Sequence, residues 1–132
     1  MTTKRTTRGF SLIELLLVLA ILGIIGGIAI PRFLGAREYA RQVGDARTNA
    51  AVLRMALETA KADTGLYPAA GTYTWTPDGP PPAISGVTFA IRNASKMEFT
   101  LTVNANRLSY SIRGTDPKGK QLINIDQNGA NI

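Results

Sequence analysis

Charge is absent from Leu15 to Ile30, and beyond that point the spacing of apolar residues changes twice. Counted from Phe10, the first apolar stretch is about 21 residues, or ~31 Å as a helix, enough to cross a hydrocarbon core. Glu14 stands at its front, where a carboxylate costs a few kcal/mol in lipid and is usually functional. Pro31 closes the run, and a proline inside a helix removes one hydrogen bond and kinks or breaks it. Helical spacing then resumes. Ala36, Ala40, Val43, Ala46, Ala50, Leu53, Leu57 and Ala60 recur every three or four residues. That is one amphipathic stripe. Off the stripe, Arg41–Asp45 and Arg54–Glu58 are spaced for i,i+4 ion pairs worth a few tenths of a kcal/mol each. Gly65 and Pro68 supply a stop. The pattern predicts helix from about Ser11 to about Asp63, interrupted or bent near Pro31.

The remainder changes period. Residues 64–86 read as a loop, because "TYTWTPDGPPPAISG" is turn-rich and Pro80, Pro81 and Pro82 make a stiff extended connection. Tyr73 and Trp75 are expected to cover apolar surface there. Period-two alternation follows. Val87, Phe89 and Ile91 share one face, as do Met97, Phe99, Leu101 and Val103, and then Leu108, Tyr110 and Ile112. "QLINI" at 121–125 is a weaker fourth strand. The turns between them are "NASK", "NAN" and "TDPKG". Short gaps between half-apolar strands imply an antiparallel sheet with one wet face. Its dry face needs a partner, and the stripe at 36–60 is the one available. The expected fold class is α+β: a long N-terminal helix packed on a small antiparallel sheet of about four strands within 87–132.

Composition then removes whole classes of chemistry. The 132 residues include no cysteine and no histidine. Disulfides, thiolate metal sites, Cys nucleophiles and His-based triads are excluded. The formal charge is +6, but Lys4, Arg5 and Arg8 lie in the short, basic, Thr-rich segment before Phe10. Without residues 1–9 about +3 remains, which is no strong nucleic-acid footprint.

Gly9, Phe10, Glu14, the apolar run and Pro31 together resemble the type IV pilins and pseudopilins. In that family a basic leader ends in Gly, and a Phe or Met follows the cut. Glu is fifth in the mature chain, and a proline lies near mature position twenty-two. "GFSLIELLLVLAILGIIGGIAIP" matches this throughout. The Cys-bounded C-terminal loop of many bacterial pilins is absent. The resemblance implies a leader at 1–9, a transmembrane and filament-core helix at 10–31, and a globular domain at 32–132. Within the domain, the amphipathic helix would be 32–63. It further implies cleavage between Gly9 and Phe10 by a membrane aspartyl prepilin peptidase, with N-methylation of Phe10. Subunits would then leave the inner membrane through an ATPase-driven platform. They would polymerise with copies of themselves and related pilins, as a cell-surface pilus or a periplasmic pseudopilus. Phe10, Glu14 and Pro31 would serve assembly. Motility, adhesion and DNA uptake are the uses this implies, and a pseudopilin of a type II secretion system is the alternative. Neither enzymatic activity nor a cofactor is implied.

Each feature also has a plainer reading. Ser11 and Glu14 form S-x-x-E, a capping box that opens a helix at Leu12, and a carboxylate in the first turn suits the helix dipole. Gly27-Ile28-Ala29 is a small-x-small site of the kind a signal peptidase accepts, but the helical pattern continues past it. Arg32, Arg37, Arg41 and Arg47 follow the span as closely as the leader charges precede it, so charge does not orient it. With Arg54 they could meet phosphates or DNA on a filament, though a solvated helix face explains them. "NIDQNG" partly matches a calcium loop through Asn124, Asp126 and Asn128. It lacks the first Asp and the closing Glu, so a strand and Gly turn is the simpler reading and no metal is expected.

Overall fold

The computed structural model describes residues 8–88, 90–92 and 95–132. Residues 1–7 of the expected leader, Phe89 of the first expected strand, and Asn93 and Ala94 of the expected turn lie outside the described residues. The element order is α1 (Leu12–Thr64), β1 (Gly71–Trp75), β2 (Glu98–Val103), β3 (Tyr110–Thr115) and β4 (Gln121–Asp126). Two compact units divide the chain, one through Arg37 and one from Glu38 to Ile132.

In the N-terminal unit the described residues are exposed, apart from a partly covered Gly26. Of the expected interruption or bend near Pro31, the interruption does not occur: the backbone is helical through Pro31. The proline has no N–H for the Gly27 carbonyl, a loss of about 3 kcal/mol in a helix interior. The apolar residues on both sides still keep the helical state.

In the second unit, α1 buries Ala46, Asn49, Ala50, Leu53, Leu57 and Ala60. The expected stripe thus holds from Ala46 onward, while Ala36 and Ala40 are exposed. Its partner is a four-stranded antiparallel sheet in the order β1-β2-β3-β4. Trp75, Phe99, Leu101, Val103, Tyr110, Ile112 and Ile123 join Leu53 and Leu57 in one core with Met97 and Tyr67. Thr72, Thr74, Thr100 and Thr102 alternate with these core residues, so the wet face is rich in hydroxyls. A Cβ at Gly114 would lie 2.9 Å from Ile123 Cγ1 and 3.2 Å from Phe99 Cε1. The absent side chain therefore makes room for two core residues, beside a register shift at Gly114/Thr115.

One expected strand is replaced by another. Of this expected strand, the described residues Val87, Thr88, Ala90 and Ile91 pair with no strand; Val87 and Ile91 pack on the edge of the core instead. The backbone after them is held by α1. Asn49 Nδ2 donates to the Arg92 carbonyl (2.8 Å), and Arg92 N–H donates to Asn49 Oδ1 (3.2 Å). The first strand is "GTYTW", inside the stretch expected to be loop, with Tyr73 opposite Leu101 and Trp75 opposite Phe99.

Two hairpin turns share one design. Asp116 and Asp126 each open a D-x-x-G-x sequence. The Asp116 carboxylate accepts from Lys118 N–H (2.9 Å) and Lys120 N–H (2.8 Å). The Asp126 carboxylate accepts from Asn128 N–H (2.9 Å) and Ala130 N–H (2.9 Å). Gly119 and Gly129 take φ of 82° and 80°, the left-handed region that glycine enters without a Cβ clash.

Candidate functional site

The N-terminal segment is built as an exposed apolar helix with a polar entry. Ser11 N–H donates to Glu14 Oε2 at 2.9 Å, and Glu14 N–H donates to Ser11 Oγ at 3.3 Å. That is the reciprocal capping box, which satisfies two donors that the first turn leaves open. Phe10 precedes the box and is 90% exposed. Leu12, Ile13, Leu16, Ile21, Ile24 and Ile28 are among the large side chains that follow, all exposed. Burying each would contribute about 1.5–3 kcal/mol. A contiguous apolar surface of this length marks a membrane or protein contact. Length and composition suffice for the helix to cross a membrane.

The structure gathers Gly9, Phe10 and Glu14 at the start of α1. Pro31 lies five turns further along the same helix, so these residues share an element rather than a pocket.

In the second unit the charges on α1 do not pair as their spacing suggested. Arg41 Nη2 bonds Glu38 Oε1 at 2.9 Å instead of Asp45, the sole salt bridge among the described residues. Asp45 accepts from the buried Ser95 hydroxyl. Arg54 donates to the Gln127 carbonyl (3.2 Å). Glu58 Oε1 accepts from Tyr67 (2.6 Å) and Tyr110 (3.5 Å). The rings of these tyrosines meet edge to face at 4.8 Å, and Lys61 Nζ lies 4.5 Å from the Tyr67 ring centre. Burial, and next the bond to Glu58, push the Tyr67 hydroxyl well above its ordinary value. Burial pushes Tyr110 up to about 12, against an opposing hydrogen bond from Arg54. Asp45, Arg54 and Glu58 turn toward the folded domain, where their bonds gain more than an exposed i,i+4 pair, whereas Arg41–Glu38 stays an exposed i,i+3 pair. The i,i+4 spacing had masked this network; the signal available was two tyrosines and a glutamate near apolar positions.

The Asn124, Asp126 and Asn128 set is a turn. Asp126 is occupied by the N–H groups described above, and Asn124 Nδ2 donates to the Ile132 carbonyl (3.2 Å). No group of three or more His, Cys, Asp or Glu side chains that could hold a metal occurs among the described residues. Of the arginines considered for phosphate contact, Arg32, Arg37, Arg41 and Arg47 are exposed, Arg41 bonded to Glu38, whereas Arg54 is partly buried and donates to the Gln127 carbonyl.

Residues 4–30 match the prokaryotic N-terminal methylation motif. The chain is 33% identical over 105 residues to the type IV narrow pilus major component PilA5 of Thermus thermophilus, covering 80% of this chain and 85% of that one. It is 38% identical over 68 residues to the type II secretion system core protein G of Vibrio cholerae, covering 52% of this chain and 46% of that protein. The type IV major pilin protein PilA of Myxococcus xanthus is 40% identical over 60 residues, covering 46% of this chain and 27% of that pilin. The chain thus spans less than half the length of the last two relatives. No solved structure gives a significant match. With the methylation motif at its N-terminus and a pilin relative aligned over most of both lengths, the chain belongs to the type IV pilin and pseudopilin family, whose members are structural proteins rather than enzymes.

Proposed function

We propose that the chain is the structural subunit of a type IV pilus filament. Residues 1–9 are its leader, 10–31 its membrane and filament-core helix, and 32–132 its globular part. A prepilin peptidase hydrolyses the Gly9–Phe10 bond, and the new Phe10 amine is methylated. The exposed capped helix carries this reading. Cleavage falls before Ser11, so the capping box survives it. An α-amine has an ordinary pKa near 7.7–8.0, so most of it is cationic at neutral pH. In a polymer it would meet Glu14 of a neighbouring copy inside an apolar core, where a paired carboxylate avoids most of its desolvation cost. Pro31 would be where the helix adjusts during packing. The subunit would reside in the inner membrane before assembly and in a surface pilus after it.

Alignment with the narrow pilus component over most of both lengths supports pilus over pseudopilus. The likeness to secretion core protein G favours the second reading, a subunit of a short periplasmic polymer. Isolating sheared surface filaments and sequencing their main subunit separates the two. Long filaments whose chief chain begins at methylated Phe10 are expected. Surface filaments lacking this chain, in cells where it is processed, would favour the pseudopilus. A mature chain starting at Ile30 would replace both readings with an ordinary secretory signal.

A further inference from the structure

A cleft of about 370 Å³ lies in the second unit, between the end of α1 and the β2–β3 turn. Asp63 and Arg107 both line it, with Leu66, Pro68 and Ala69 as apolar lining and Ser85 as a hydroxyl. Opposite charges lining one cleft normally close into an ion pair. These two do not: they make no salt bridge. The reason is that Arg107 is fixed elsewhere. Its Nε donates to the Tyr67 carbonyl at 2.8 Å and the Pro68 carbonyl at 3.1 Å. Its own carbonyl accepts from Tyr67 N–H at 3.0 Å. Its φ is 55°, the left-handed region that a side chain rarely adopts. The guanidinium is thereby held through Nε, and its terminal nitrogens have no acceptor among the described residues.

The opposite pole is also reinforced. Asp63 sits in the last turn of α1, where unpaired carbonyls give a helix end its partial negative charge. The cleft therefore offers a guanidinium to an anion and a carboxylate to a cation, within a lining that also holds apolar side chains. Small-ligand sites have this make-up: mostly apolar walls with a few convergent polar groups. We propose that the cleft binds a small zwitterion, an α-amino acid with an apolar side chain. The carboxylate would lie on Arg107, the ammonium toward Asp63, and the side chain against Leu66 and Pro68. Nothing in this depends on how the chain polymerises.

The test uses the full chain in detergent, titrated by calorimetry with leucine, 4-methylpentanoate and isopentylamine. Leucine is expected to bind more tightly than either single-charge analogue. Asp63→Asn makes the sharper arm, since Asp63 has no hydrogen bond or ion pair of its own to lose. It should weaken leucine about tenfold, the scale of one charge-assisted hydrogen bond, and leave 4-methylpentanoate unchanged. Arg107→Lys should weaken both acids, with far-UV circular dichroism checking that the fold persists. Equal binding of all three probes, no binding by any, or equal weakening of both acids by Asp63→Asn would overturn the proposal.

Discussion

Tyr67, Tyr110 and Glu58 show how one carboxylate organises two aromatic residues. Glu58 accepts from both hydroxyls, and both tyrosines are almost fully buried. Ionising either ring would place a second anion beside Glu58 out of water, so the neutral forms are favoured in the fold. The sign of the pH effect follows. A folded pKa above the unfolded 10.0 means the stabilisation is complete below about pH 10 and is lost as pH rises toward 12. Alkaline unfolding of the full chain in detergent, followed by tyrosinate absorbance, should show two late-titrating tyrosines. Their ionisation should coincide with loss of structure. Tyr110→Phe should leave one such late tyrosine and weaken the alkaline dependence. Gly114 is constrained by volume rather than charge. Gly114→Ala puts a methyl into Ile123 and Phe99, and overpacking of this kind costs about 1–3 kcal/mol. Thermal denaturation should show a lower Tm with the same final unfolded baseline.

At the level of elements, the long helix was legible because two periodic signals join end to end, and β2 and β3 because they alternate cleanly. β1 was hidden by its neighbours. Thr72-Tyr73-Thr74-Trp75 does alternate, but it is short and lies between turn residues and a run of prolines. The sequence at 87–91 alternates as well, and its described residues, Val87, Thr88, Ala90 and Ile91, still form no strand. The deciding residue is Asn49, a polar side chain on the buried face of α1, whose amide takes both backbone groups of Arg92. Amide pairing of this kind offers the backbone an alternative to a sheet ladder, and sequence spacing does not reveal a partner 43 positions away. Asn49→Leu should therefore be costly although it adds apolar surface. It removes two hydrogen bonds to the exposed Arg92, worth about 0.5–1.5 kcal/mol each. Amide hydrogen exchange should quicken first at Val87–Arg92, before any change in β2 or β3.

For the whole molecule the question is what the exposed apolar helix is for, and Glu14 makes it answerable. Ser11 and Glu14 were legible as a capping box, and the box is formed. The proposed assembly role rests on pairing that carboxylate with the amine that cleavage before Phe10 would create. The two roles separate by substitution. Glu14→Gln can still accept from Ser11 N–H, so the helix start should be kept and circular dichroism of the membrane-extracted chain should match the parent. The charge, however, is gone. A neighbour's Phe10 ammonium would then enter the apolar core unpaired, and breaking a buried pair in this way costs about 3–5 kcal/mol. Processing should continue, since the Gly9–Phe10 bond is untouched, while the yield of sheared filaments should fall by two orders of magnitude or more. Ser11→Ala is the reciprocal control. It removes one capping bond, worth about 0.5–2 kcal/mol at the first turn, but keeps the carboxylate. Its filaments should survive with a frayed helix start. Normal filament yield from Glu14→Gln would show that capping alone is what Glu14 does, and the ion pair would have to be given up.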